Sequence, residues 1–468
     1  MRRVSRDSST TDVGGSTRRS RRLRPAVLTV IAAALLAALV PASALAVWGT
    51  PRTLTVANEQ AGLPTVASDQ QGNAVAAWYA TGGSDRVIAR LSDDAGRTWG
   101  PRQVLGQAVV SQGSARPALI RAAVGSDGTA TVVWQRMGAT HVRAVAAQAP
   151  SGGSFGAARP VSDNGSDAFY PDVAVSRATA VVTFVTPTEV QRTVISPRGS
   201  VGAPQTVAAG NSPDLPVVAA DRNGDFFFAW IENTSTIPPE QPLVVARESA
   251  GGRITDPRRL TADGSDLPQV ALSNDRQATV AWMQTASVSD QPVVMANTAA
   301  WGQRFGQAQQ LSTTGQEAIL GGGGAGSRGV GVDAQGRVSA IWVEVPPPGP
   351  PGTSHVRVAT SDANGDFATP VTVQTASDPF TYERPAIAVA GGGELIATWT
   401  RYSTSSSTVG RVWGAGAEEP PAFSAPVALS PPTGDSSAVA PTTVNGAGVA
   451  VWGVGQSTGP VQAVRWVP

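Results

Sequence analysis

The sequence has no cysteine, no lysine and only 2 histidines among 468 residues, and charged residues make up just 15% of it. Without cysteine there is no disulfide framework, no thiolate nucleophile, no Cys-ligated zinc and no lipid-modified N-terminal cysteine. The two histidines open matching segments, His141-Val142-Arg143-Ala144 and His355-Val356-Arg357-Val358. Neither lies in a G-x-S-x-G elbow or an H-E-x-x-H helix, so Ser-His-Asp and zinc-hydrolase chemistry find no foothold. No metal or other cofactor is expected. Low charge also argues against a disordered chain: hydrophobic residues reach 41%, and 51 Gly with 36 Pro fall short of low-complexity levels.

The charge is unevenly placed. Residues 1–24 hold eight of the 35 arginines and two acids, and an uncharged apolar run follows from Pro25 to Trp48, with the small-residue site Ala44-Leu45-Ala46. A basic n-region (1–24), an apolar h-region (25–41) and an A-x-A site compose a secretory signal peptide, expected to be cleaved near residue 46. An uncleaved membrane anchor is the alternative, because 24 uncharged residues can span a bilayer. Export by the general or the twin-arginine route is left open. Removal of 1–46 leaves 27 arginines against 32 acidic residues. A secreted, acidic chain is the expectation, with no electrostatic case for nucleic acid or, after cleavage, for membrane.

From residue 47 onward one pattern recurs eight times. Apolar runs rich in β-branched residues, mostly opened by a proline, turn at a Gly or Asp cluster and end at an aromatic: Trp78, Trp134, Phe184, Trp230, Trp282, Trp342, Trp399 and Trp452. The spacings are 56, 50, 46, 52, 60, 57 and 53 residues, the size of propeller blades. Each run reads as a β-hairpin, and a second follows it, as from Val87-Ile88-Ala89 to Pro101-Arg102-Gln103-Val104-Leu105. Four strands per unit without helical periodicity indicate an all-β fold, a single closed β-propeller over 47–468 with eight four-stranded blades; seven is the alternative count. The eighth unit stops after its third strand, whereas Trp48-Gly49-Thr50-Pro51-Arg52-Thr53-Leu54 copies the outer strand Trp99-Gly100-Pro101-Arg102-Gln103-Val104-Leu105. The N-terminal strand is therefore expected to complete the last blade. A monomer is expected.

One turn carries a known signature. Ser92-Asp93-Asp94-Ala95-Gly96-Arg97-Thr98-Trp99 resembles the S-x-D-x-G-x-T-W Asp box of the sialidase and bacterial-neuraminidase-repeat propellers. Its residues Ser92, Asp94, Gly96, Thr98 and Trp99 are read as structural: Asp94 accepts turn amides, Gly96 supplies positive φ, and Trp99 packs the hairpin. Asp221-Arg222-Asn223-Gly224-Asp225 and Asp362-Ala363-Asn364-Gly365-Asp366 look like calcium loops, yet sister turns such as Asp69-Gln70-Gln71-Gly72-Asn73 keep the turn residues and lose the ligands. They too are read as turns.

Propeller geometry segregates these short turns from the variable loops, which fall on the opposite face with the residues flanking the first two strands of each unit. That mouth holds Arg116, Tyr170, Arg328 and Arg384 before the first strand, and Tyr79, Glu344, Arg401 and Tyr402 after the second. Arg116, Arg384, Arg401, Tyr170 and Tyr79 are the candidate ligand-binding residues, because guanidinium groups match carboxylates. The resemblance to sialidases implies a tyrosine nucleophile paired to a glutamate, with an aspartate acid/base; the nearest candidates are Tyr402, Glu344 and Asp85. The family's F/Y-R-I-P motif is absent. The expected function is a secreted module binding extracellular carbohydrate or protein without catalysis, with a sialidase-like exo-glycoside hydrolase and a structural envelope protein as the alternatives.

Overall fold

A computed structural model describes residues 47–81, 85–109, 120–210, 212–234, 240–285, 290–322, 327–347, 352–377, 380–403, 406–432, 435–455 and 459–468. The expected signal peptide and Arg116 lie outside the described residues. The fold is all-β, in eight antiparallel blades of strands a to d, counted from the axis outward. Blade 1 comprises Gln60–Ser68, Ala74–Thr81, Arg86–Ser92 and Gln103–Gln107. Strands a of blades 2 to 7 begin with Arg121–Val124, Phe169–Ser176, Pro213–Ala220, Ser265–Leu272, Glu317–Leu320 and Phe380–Val389. Blade 8 comprises Ser436–Val444, Ala447–Val454 and Val461–Val467, completed by Val47–Trp48 and Arg52–Thr53. Every strand a packs against the strands a on either side, blade 8 against blade 1 included. The ring is closed, with eight blades rather than seven.

The seam is antiparallel, with Trp48 opposite Trp466 and Arg52 opposite Ala463. Gly49 N donates to Arg465 O and Leu54 N to Val461 O, both at 2.8 Å. The N-terminal strand thus satisfies an edge that would otherwise present unpaired amides.

The eight repeat aromatics are all buried, none more than 2% exposed. They do not end their strands as the sequence pattern suggested; Trp282 is followed by Met283 and Gln284 within Gln277–Gln284. The apolar run stops there because the rest of the strand climbs to the mouth, where side chains become polar while the backbone ladder continues. A buried indole N–H needs an acceptor. Trp78 donates to Glu59, Trp282 to Gln284, Trp342 to Glu344 and Trp399 to Gln374, at 2.7–3.1 Å.

The a–b turns of blades 1, 4 and 6 are built on a first-position aspartate, Asp69, Asp221 and Asp333. Asp69 Oδ1 accepts the amides of Gln71, Gly72 and Asn73, and Asp221 Oδ1 those of Asn223, Gly224 and Asp225. Gly72 and Gly224 sit at φ 114° and 100°, which explains the glycine at the fourth position. In the c–d turn of blade 6, Asp362 Oδ1 likewise accepts the amides of Asn364 and Asp366, so both pentads that look like calcium loops direct their leading carboxylate into their own backbone.

At the other end of strand a, six blades carry a bulge: blade 8 between Ser437 and Ala440, and five others that share one form. Pairing skips two residues at Gly62/Thr65, Phe169/Asp172, Asp214/Val217, Asp266/Gln269 and Glu383/Ala386. The first skipped residue, Leu63, Tyr170, Leu215, Leu267 or Arg384, has φ between 47° and 51°. Each such left-handed residue costs about 1–3 kcal/mol. The second is a proline, which has no N–H to orphan where the ladder opens. In two of these bulges the strained side chain joins a core shared with the following blade: Leu63 the cluster that contains Trp134 of blade 2, and Tyr170 the cluster that contains Trp230 of blade 4.

Because each blade aromatic fills the space between sheets, Trp282→Ala should cost about 3–5 kcal/mol of unfolding free energy in denaturant titration. A loss below 1 kcal/mol would contradict the packing described.

Candidate functional site

The mouth is asymmetric, and blade 6 is the reason. Where other blades have a two-residue bulge, its strand a is interrupted between Glu317–Leu320 and Val330–Val332. The excursion closes tightly: a Cβ on Gly329 would lie 2.1 Å from the Gly321 carbonyl oxygen. It delivers Arg328, expected at the mouth, across the axis to Asp172 of blade 3. Arg328 Nη2 and Nη1 donate to the two carboxylate oxygens at 2.7 and 2.9 Å, and Val218 N of blade 4 donates to Oδ2 at 2.9 Å. Arg121 of blade 2 approaches Asp172 Oδ1 at 3.6 Å. Burial pushes the Arg121 guanidinium down to about 10 despite Asp172, and Arg328 adds to the depression. Residues of three other blades thus converge on the buried Asp172 of blade 3.

The second concentration of polar groups lies between blades 7 and 8. The bulge exposes Glu383 and Arg384, and Tyr402, near the end of Leu395–Ser403, lies within the electrostatic reach of both and of Asp435. Burial pushes the Tyr402 hydroxyl up to about 12, although Arg384 opposes the shift. Tyr402 is therefore a neutral hydrogen-bond donor at neutral pH. Gly410 allows the ring to come close: a Cβ there would lie 2.6 Å from Tyr402 Cε1 and 2.8 Å from Asp435 Oδ1. Its N–H donates to Asp435 Oδ1 at 2.6 Å. Asp435 Oδ2 and Ser436 Oγ are buried and find no partner among the described residues, which is costly unless something else supplies one.

The remaining candidates are dispersed. Arg401 points the other way from Tyr402, its guanidinium carbon 3.8 Å from the Phe380 ring centroid and 5.6 Å from that of Trp413; it is clamped between aromatics. Glu344 is 2% exposed and accepts from Trp342 Nε1, Thr313 N and Thr313 Oγ1, with Arg357 Nε at 3.3 Å. Tyr79 is buried with its hydroxyl unpartnered among the described residues, and burial followed by Asp85 raises its pKa. Asp85 lies in blade 1, half-buried before Arg86–Ser92. Tyr170 stands at its bulge beside Phe169, ring centroids 6.3 Å apart. The structure brings together Arg384 and Tyr402, adds Asp435 and Ser436, and keeps Glu344 in the frame of blade 6.

The turn at 92–99 is a closed hydrogen-bond unit. Ser92 Oγ donates to Asp94 Oδ1 at 2.9 Å and accepts from Gly96 N, while Thr98 donates through N and Oγ1 to the two Asp94 oxygens at 2.8 and 2.6 Å. Gly96 has φ 73°, and Trp99 packs on the core shared by blades 1 and 8. Burial pulls the Asp94 carboxyl upward, but the hydrogen bonds from Thr98 and Ser92 outweigh it and hold the group below the usual carboxylate range.

No protein-family model matches the sequence, and no curated protein sequence matches it. Among solved structures, a PL25 polysaccharide lyase acting as an ulvan lyase aligns at a TM-score of 0.50 with 8% identity, over 76% of this chain and 93% of its own. The same enzyme bound to -[GlcA(1-4)Rha3S]- gives the same values. A puromycin hydrolase mutant aligns at 0.47 with 14% identity, over 86% of this chain and 61% of its own. The likeness to the lyase is one of fold alone.

Replacing Asp172 strands two guanidinium groups around the axis. Asp172→Asn should lower the unfolding free energy by about 3–5 kcal/mol in denaturant titration. A change below 1 kcal/mol would contradict its role as the hub of four blades.

Proposed function

We propose that the mature chain is a secreted binding propeller whose mouth takes an acidic carbohydrate, with Arg384 as the anion anchor and Tyr402 as a neutral donor beside it. The observation that carries this reading is the grouping of an exposed guanidinium, a protonated phenol and two buried oxygens without a partner among the described residues at the junction of blades 7 and 8. A guanidinium fork suits a carboxylate or sulfate, and a neutral tyrosine hydroxyl adds a donor without repelling it. Asp435 Oδ2 and Ser436 Oγ can accept from sugar hydroxyls. An acidic sugar is also the ligand held in the ulvan-lyase structure.

Binding without hydrolysis is favoured because the three residues that a sialidase-like mechanism would need are not gathered. Tyr402 has no ionised form to offer near neutrality, Glu344 spends its oxygens on Trp342 and Thr313, and Asp85 belongs to another blade. Secretion rests on the sequence of residues 1–46.

The test is an array of acidic and neutral glycans probed with residues 47–468, beside a fluorogenic sialoside assay. Acidic glycans should bind, and Arg384→Gln should weaken them by about tenfold or more with an unchanged melting temperature. Sialoside turnover that disappears in Tyr402→Phe would replace the binding reading with a hydrolase.

A further inference from the structure

The repeat builds similar clefts between the outer halves of neighbouring blades, on the face of the c–d turns, away from the mouth. Those between blades 1 and 2 and between blades 2 and 3 measure about 370 and 310 Å³. The one between blades 4 and 5 is about 600 Å³, within the range of about 300–1,000 Å³ typical of ligand sites. Its composition also departs from theirs. Arg247, Arg253, Arg258, Arg259 and Arg304 line it, with Asp256 as the one acid among its lining residues; the first cleft is lined by no arginine and the second by two. Shared ancestry explains part of this, since Arg258 follows a proline as Arg52 and Arg102 do. It does not explain Arg304, whose place before the turn phenylalanine is held by Ser154 in blade 2 and Asp366 in blade 6.

The arginines divide into two sets. Arg247 is buried and holds the floor, donating to Gln303 O and Ala299 O and lying over Trp301 and Phe305, 5.5 and 5.2 Å from the ring centroids. Burial and then the nearby Arg258 push its pKa down. Arg259 is engaged by Glu232. Arg253, Arg258 and Arg304 are exposed and form no ion pair with a described residue. Three uncommitted guanidinium groups around one concave surface stand out in a mature chain whose acids outnumber its arginines.

We propose that this cleft is a second binding site, for an anionic polysaccharide carrying carboxylate or sulfate groups, gripped by Arg253, Arg258 and Arg304. A guanidinium fork pairs with either group bidentately, and spaced arginines match the regular charges of a sugar chain. Single-stranded nucleic acid fits less well. Base recognition draws on free aromatic faces, and here the Trp301 ring is engaged by Arg247 and Arg276, and Phe305 by Phe227 and Arg247.

The test uses residues 47–468 carrying Arg384→Gln, so that the mouth is impaired and the two sites are read separately. Affinities for polygalacturonate, dextran sulfate, neutral dextran and a thymidine oligonucleotide are measured by calorimetry. At least one of the two acidic polysaccharides should bind, in preference to dextran and the oligonucleotide. Adding Arg253→Gln and Arg304→Gln should weaken that binding at least about tenfold with an unchanged melting temperature. No binding of either acidic polysaccharide, equal binding after the two replacements, or tighter binding of the oligonucleotide overturns the proposal. An effect of Arg384→Gln alone on the glycan array bears on the mouth and not on this cleft.

Discussion

The seam between residues 47–54 and Val461–Val467 is the constraint on which the rest of the propeller depends. Seven blades are continuous in sequence; the eighth exists as a four-stranded sheet because the first described strand of the chain supplies its outer edge. The seam is packed as tightly as any interior. A Cβ on Gly414 of blade 7 would lie 2.7 Å from the Trp48 ring, and one on Gly416 2.2 Å from that of Trp466. Leu54 joins Trp78, Val451 and Ala463 in a core shared by blades 8 and 1. With the ring closed, each strand a has a neighbour on both sides, and each mouth residue has a fixed angular place.

Within that frame, repetition builds the scaffold and departures from repetition build the sites. The bulge and its proline recur at Leu63, Tyr170, Leu215, Leu267 and Arg384; three of these residues are leucines, while Arg384 is charged and exposed. Blade 6 enlarges its bulge into an excursion, and that departure sends Arg328 to Asp172. Arg304 is a third departure, in a turn where sister blades carry serine or aspartate. The strain of the bulges persists because the surrounding sheets over-determine it.

The scaffold was legible in the sequence because it is local and repeated: one aromatic per unit, a proline in most, a turn at a Gly or Asp cluster, and an N-terminal strand that copies an outer strand. The site was only half legible. The residues beyond the strand b aromatic all head toward the mouth, but side chains alternate along a strand. The second residue past the aromatic lies on its side, so Glu344 and Gln284 serve as indole acceptors, and Arg401 lies in an aromatic clamp. Tyr402, the third, faces the other way, toward Arg384 and Asp435. An acceptor two positions after a buried tryptophan was the available signal. The cleft between blades 4 and 5 had no such signal, since Arg253 and Arg304 belong to turns of different blades and only the packing of sheets brings them together.

Hydrogen exchange followed by mass spectrometry on residues 47–468 tests the closed ring most directly. The amides of Gly49 and Leu54 are bonded across the seam, so peptides covering 47–54 should exchange with the same slow, cooperative kinetics as those covering Val461–Val467, slowed at least about a thousandfold from the free-chain rate. Exchange of 47–54 at the free-chain rate, with 461–467 still protected, would contradict closure by the N-terminal strand.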